Sequence, residues 1–65
     1  MTDLTLNINV NKAQAMLGIV SNATSVDRHL LLDDEGFASL LHKHCHDSNM
    51  NDAIDVLLEY VHHNY

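Results

Sequence analysis

Two apolar stripes of helical period, separated by a short polar break, are what most constrain this chain. Phe37, Leu40, Leu41, His44 and Cys45 fall on one side of a helical wheel. Met50, Ala53, Ile54, Leu57, Leu58 and Val61 do the same after Asp47-Ser48-Asn49. Apolar residues recurring at i, i+3, i+4 and i+7 mark a helix that buries one face. Asp33 or Asp34 is placed to cap the first of these helices, and Glu35 sits where a carboxylate complements the positive end of the helix dipole. The Asp-Ser-Asn break ends one helix and caps the next. So short a connection turns the second helix back along the first, which predicts an antiparallel helical hairpin.

The upstream half carries two other patterns. Leu4, Leu6, Ile8 and Val10 alternate with Thr5, Asn7 and Asn9, the period of a half-buried β-strand. From Asn11, a possible cap, Ala13, Met16, Leu17 and Val20 recur with helical spacing, and Ala15, Ile19 and Ala23 widen the stripe. Gly18 interrupts this helix at a cost of roughly 1 kcal/mol relative to Ala, which predicts a closely packed neighbour there. Residues 22–25 read as a loop. Residues 26–32 fit two structures. Thr24-x-x-Asp27 resembles a capping box and favours a short helix, whereas Leu30-Leu31-Leu32 before Asp33-Asp34 suits a short buried strand. The strand is preferred, because the strand at 4–10 needs a partner to pair with. The predicted fold is therefore α+β and mostly helical: N-terminal strand, helix, possible short second strand, and the C-terminal hairpin. It forms one small domain spanning residues 1–65.

Size makes assembly part of the problem. A domain of 65 residues is marginal unless it gains a staple. With one cysteine in the sequence, an internal disulfide is ruled out. Self-association as a homodimer, or an obligate complex with a partner chain, is the expected remedy. No basic segment followed by an apolar run opens the sequence, so no secretory leader is expected. The longest apolar run, Leu30-Leu31-Leu32, is far too short to span a bilayer. The expectation is a cytoplasmic protein with a reduced thiol at Cys45.

The charge points to a class of partner. Nine acidic residues against three basic ones give a formal charge of -6, which opposes binding to phosphate backbones. Asp33, Asp34 and Glu35 cluster at the mid-chain turn, and Asp52, Asp55 and Glu59 lie opposite the apolar stripe of the last helix. Such a surface steers a basic protein partner, and its carboxylates could stand in for the phosphates of a nucleic acid. The six histidines gain charge in mildly acidic solution, so acidification should weaken any binding that rests on this charge.

The run His42-Lys43-His44-Cys45-His46 carries metal-ligand chemistry. On a helix, His42 and His46 stand one turn apart and form a chelating pair, whereas His44 and Cys45 turn toward the apolar side. A zinc site would need a third ligand, with His62 or His63 as candidates. The default expectation is no cofactor. Catalysis is not expected either. Cys45 falls on the core side, where a free cysteine packs as a small hydrophobe. Asp33, Asp34 and Glu35 occupy cap positions, and neither Gly18 nor Gly36 belongs to a phosphate-binding loop.

Two family resemblances bear on function. Arg28-His29-Leu30-Leu31-Leu32-Asp33-Asp34-Glu35, followed by two amphipathic helices, resembles the ribbon-helix-helix repressors and antitoxins over roughly residues 26–61. That resemblance implies a dimeric DNA-binding regulator with Asp27, His29 and Leu31 on one face of its ribbon. A second register would place the ribbon at residues 4–10 and present Thr5, Asn7 and Asn9 to base edges. Glu35, Phe37, Leu40, Leu41 and Cys45 with the acidic final helix are similar to the first two helices of the acidic colicin-immunity proteins. The leading expectation is a non-enzymatic interaction module of the phage or mobile-element type, an inhibitor or adaptor that binds a basic surface of a partner protein. The DNA-binding regulator and a histidine-based metal-binding module are the alternatives.

Overall fold

The computed structural model describes residues 9–65 and places them in four α-helices: α1 (Val10–Thr24), α2 (Arg28–Asp33), α3 (Glu35–Asp47) and α4 (Met50–Asn64). Each helix begins at an Asn or Asp whose carboxylate or amide oxygen accepts a backbone N–H that the helix itself leaves unpaired. Asn9 Oδ1 accepts from Lys12 N–H at 3.1 Å, and Asp27 Oδ1 from His29 N–H at 2.9 Å. Asp34 Oδ1 accepts from Gly36 and Phe37 at 2.8 and 3.1 Å, and Asn49 Oδ1 from Asp52 at 3.0 Å. Asp34 also closes α2, since its own N–H donates to the Leu31 carbonyl at 3.3 Å. One residue therefore ends one helix and starts the next.

The α+β expectation is overturned, because the described residues contain no strand. Residues 4–8 of the expected first strand lie outside the described residues. Its last two positions do not continue a strand: Asn9 caps α1 and Val10 is the first helical residue. Asn favours such caps over strands, since its side chain competes for the backbone donors. The expected second strand at 26–32 is replaced by a helix from Arg28 onward, with Asp27 rather than Thr24 as its cap. Thr24 instead donates its hydroxyl to the Val20 carbonyl at 2.7 Å. The leucine triplet shows the physical reason. Leu31 is fully buried while Leu30 and Leu32 are 53% and 54% exposed. The chain needs one apolar contact here, and a single helical turn delivers it without a pairing partner.

The core is built from narrow stripes. Met16, Leu17 and Val20 of α1, Leu31 of α2, Phe37, Leu41 and Cys45 of α3, and Ala53, Leu57 and Val61 of α4 are buried together. In both α3 and α4 the buried positions recur every fourth residue, so each helix presents one face to the others. Helices α1 and α3 both pack on α4, and α2 bridges α1 and α3. Burying a Leu or Phe side chain stabilises by about 1.5–3 kcal/mol, so these residues carry most of the folding free energy. Cys45 sits in this core, as its position on the apolar face predicts. Burial pushes its thiol upward, against a smaller opposing influence of Lys12.

Chain reversals are held by side chains rather than by glycine. Ser25 closes α1 in the left-handed region at φ 64°, with its N–H on the Ser21 carbonyl at 2.8 Å. The Ser21 hydroxyl donates to the Val26 carbonyl at 2.6 Å and draws the loop back onto α1. The expected loop at 22–25 is mostly the last turn of this helix. Gly18 has no close neighbour: a Cβ there would meet nothing within 4 Å. The tight packing expected at that glycine is not present among the described residues.

Candidate functional site

The acidic side chains fall into two groups with different environments. On α4, Asp52, Asp55 and Glu59 are all exposed, while Ala53, Leu57 and Val61 are buried. At 100° per residue the three acidic positions span only about 60° of the helix circumference, opposite the buried stripe. Their rise along the axis is about 10 Å from first to last. Asp52 is held in place at the cap, where the Asn49 amide donates to its carboxylate at 3.2 Å. A groove between α3 and α4 runs beside this row, lined by Leu40, Val56, Glu59, Tyr60, His63 and Asn64. His63 turns its Nδ1–H onto the Glu59 carbonyl at 3.0 Å.

The second group surrounds the α2–α3 junction. Asp33 and Glu35 are exposed there, but Asp34 is engaged. Besides its two backbone donors, its Oδ1 accepts the Tyr60 hydroxyl at 2.9 Å and its Oδ2 the Tyr65 hydroxyl at 2.5 Å. The hydrogen bond from Tyr65 is the main reason the Asp34 carboxyl is held below the ordinary carboxylate range, followed by the Phe37 N–H. The same carboxylate pushes Tyr65 up to about 12 and raises Tyr60. Asp34 thus ties the end of α4 to the start of α3. The Phe37 and Tyr60 rings lie 6.3 Å apart beside this junction. Tyr60 also crosses Gly36 so closely that a Cβ at that position would collide with its hydroxyl. No sequence signal joins these groups, since the two tyrosines are 26 and 31 positions from Asp34. Among the six acidic residues expected to meet a partner, Asp34 is thus committed within the fold, and the other five face solvent.

The histidine run is distributed as the helical wheel requires. His42 and His46 share the outer side of α3 one turn apart, and Cys45 is buried. The His44 Nδ1 lies 3.0 Å from the Ser48 hydroxyl oxygen. The hairpin is antiparallel, so His62 and His63 lie near the start of α3, whereas His46 lies at its end. Their separation from His42 and His46 along the axis is about 12 Å or more. Neither of the expected third ligands therefore lies beside the pair. Among the described residues, no three His, Cys, Asp or Glu side chains gather around one point. The outer side of α3 is also mixed in charge: Glu35, Ala38, Ser39, His42 and Lys43 line one shallow groove. Unbroken negative charge is therefore a property of α4 and not of the whole hairpin.

The ribbon expected at 26–32 is helical from Arg28 onward, so that register of the ribbon-helix-helix resemblance does not hold. In the other register, Thr5 and Asn7 lie outside the described residues and Asn9 is occupied as a cap. No helix among the described residues is long and apolar enough to cross a membrane. No protein-family model, curated protein or solved structure matches the chain.

Proposed function

We propose that this chain is a non-enzymatic interaction module that binds a basic surface of a partner protein through the outer face of α4. Asp52, Asp55 and Glu59 form the centre of the contact, with Asp33 and Glu35 contributing from the α2–α3 junction. The observation that carries this reading is the exposed carboxylate row set directly opposite the buried stripe of the same helix. Packing Ala53, Leu57 and Val61 into the core fixes how the row faces outward. A pre-set row of like charge speeds encounter with a basic partner and selects against acidic ones.

The groove beside the row supports the same reading. Charge gives orientation and on-rate, whereas affinity comes from a few well-packed apolar or aromatic contacts. Leu40, Val56 and Tyr60 line the groove and offer such a contact next to Glu59. An inhibitor or adaptor that occupies a nucleic-acid-binding surface would use this combination, with the carboxylates in place of phosphates. A non-enzymatic role agrees with the commitment of the most conspicuous reactive groups to structure. Cys45 is buried with its thiol pushed upward, and Asp34 holds two tyrosines and two backbone amides.

The test compares the wild-type chain with a variant carrying Asp52→Asn, Asp55→Asn and Glu59→Gln, each immobilised as bait. These changes remove charge while keeping side-chain shape. A partner retained by the wild type, released by salt and lost from the variant supports the proposal. Equal retention by both baits overturns it.

A further inference from the structure

The grooves beside Glu35 on α3 and Glu59 on α4 each hold a carboxylate. A further groove, between α1 and α2, is lined by none. Gln14 and Leu17 of α1 and Arg28, His29 and Leu32 of α2 line it, around a volume of about 300 Å³. The turn that the Ser21 hydroxyl holds on the Val26 carbonyl lays α2 beside α1. Arg28, His29 and Leu32 fall within about 100° of arc on α2, so all three can face α1 together. Leu17 is buried and Leu32 is 54% exposed, which gives the groove an apolar floor and an apolar wall. Its cation is free. Lys12 is spent on the Ser48 carbonyl, and Lys43 shares its groove with Glu35. Arg28 is exposed, and among the described residues no hydrogen bond or ion pair holds its guanidinium. The acids of α2 stand outside the lining. Asp27 is turned to the helix cap, where its Oδ1 accepts the His29 N–H at 2.9 Å. Asp33 is one turn from His29 but about 140° around the helix from Arg28. The guanidinium rather than the imidazole is therefore the positive pole of this groove.

We propose that the α1–α2 groove binds a small carboxylate with an apolar tail, its head on Arg28 and its tail along Leu17 and Leu32. The occupant follows from the chemistry of the lining. A guanidinium presents paired N–H donors that match the two oxygens of a carboxylate, and such bonds are among the stronger ones a surface can make. The His29 N–H of the backbone is already taken by Asp27, so recognition rests on side chains, with the Gln14 amide as a second donor at the rim. Leucine on floor and wall selects for a tail, since burying apolar surface adds what one charged contact at a wet rim cannot supply. Size and charge narrow the class further. A volume of about 300 Å³ is at the small end of ligand sites, which favours a small molecule over a protein segment. The net charge of -6 repels a polyanion strongly. A single carboxylate meets mainly Arg28, because charges beyond about 8 Å are screened at physiological salt. This site is separate from the acidic row of α4 and does not rest on that reading.

An NMR titration of the labelled full chain with octanoate tests this, following backbone amides and the arginine side chain. Saturable shifts should centre on Gln14, Arg28, His29 and Leu32, with a dissociation constant of about 1 mM or tighter. Octylamine has the same tail and the opposite charge, and acetate has the head without the tail. Each should bind about tenfold more weakly than octanoate or worse. Arg28→Gln should weaken octanoate by about tenfold, and Arg28→Lys, which keeps the charge but not the paired donors, should fall between. Arg28 makes no bond within the fold, so both variants should keep the helical circular dichroism of the wild type. If Arg28→Gln loses helicity, Leu32→Asn supplies an independent readout. It should weaken octanoate by about threefold or more and leave acetate unchanged. The proposal is overturned by shifts that never saturate or that centre outside the groove. Octylamine binding as tightly as octanoate, or octanoate binding indifferent to Arg28→Gln, overturns it as well.

Discussion

Gly36→Ala isolates the junction that holds the two ends of the hairpin together. Replacing a helical glycine by alanine ordinarily stabilises by up to about 1 kcal/mol, because alanine has less backbone freedom to lose on folding. At Gly36 the added methyl has nowhere to go. It would collide with the Tyr60 hydroxyl, stand 2.9 Å from the ring carbon that bears it, and lie 3.3 Å from Asp34 Oδ1. Tyr60 cannot move aside without giving up its hydrogen bond to Asp34 and shifting beside Phe37. Overpacking of this kind costs about 1–3 kcal/mol, so the helical gain is outweighed. The expected net loss is roughly 1–2 kcal/mol. In a domain of this size, each kcal/mol lowers Tm by about 4–8 °C. Urea and thermal unfolding followed at 222 nm would measure it. A double-mutant cycle with Tyr60→Phe sharpens the test. Without the hydroxyl, the cost of Gly36→Ala should shrink but not vanish, because the ring carbon remains close. A stabilised Gly36→Ala, or a cost indifferent to Tyr60→Phe, would refute this account of the junction.

Other outcomes follow from the same structure. Gly18→Ala should stabilise by about 0.5–1 kcal/mol, since its methyl meets nothing within 4 Å; denaturant midpoints would check this. Ser25→Gly should stabilise by up to about 1 kcal/mol, because a non-glycine residue at φ 64° carries a steric cost that glycine does not; thermal melts would show it. Stability should also depend on pH through the Asp34 cluster. Asp34 is lowered on folding from 3.8, so its contribution is complete above that value and is lost as pH falls through the lower folded value. Tyr65 is raised from 10.0 to about 12, so its contribution is complete below 10.0 and lost as pH rises through about 12. Phenolate absorbance should therefore place Tyr65 well above Tyr in a short peptide, and Asp34→Asn should bring it back toward the ordinary value.

The parts legible in the sequence are those whose period runs long enough to be unambiguous. Helices α3 and α4 each bury three residues at four-residue spacing between good Asx caps, and both their position and their antiparallel packing follow from that. The outward position of Asp52, Asp55 and Glu59 follows too, because it is the complement of Ala53, Leu57 and Val61. Helix α2 is only six residues long, less than two full turns, so its period could not be told from a run of leucines. The preference for a strand there depended on a strand at 4–10 needing a partner, and Asn9 and Val10 belong to α1 instead. The Asp34–Tyr60–Tyr65 cluster was invisible for a different reason. A cap residue looks complete with its two backbone amides, and nothing local announces two phenols arriving from the far end of another helix. The close neighbour expected at Gly18 is not found among the described residues.

The most direct test of the central claim, that α4 presents a working acidic face, is an amide-resolved NMR titration of the labelled chain with an oligo-arginine peptide. It should be run at about 0.05 M and again at about 0.5 M salt, where screening shortens to a few ångströms. The account predicts shifts centred on Asp52, Asp55 and Glu59 and the neighbouring groove residues Val56 and Tyr60, absent from the outer face of α1 and largely abolished at high salt. Shifts centred on α1, or shifts at α4 that survive both high salt and the Asp52→Asn, Asp55→Asn, Glu59→Gln changes, would contradict it.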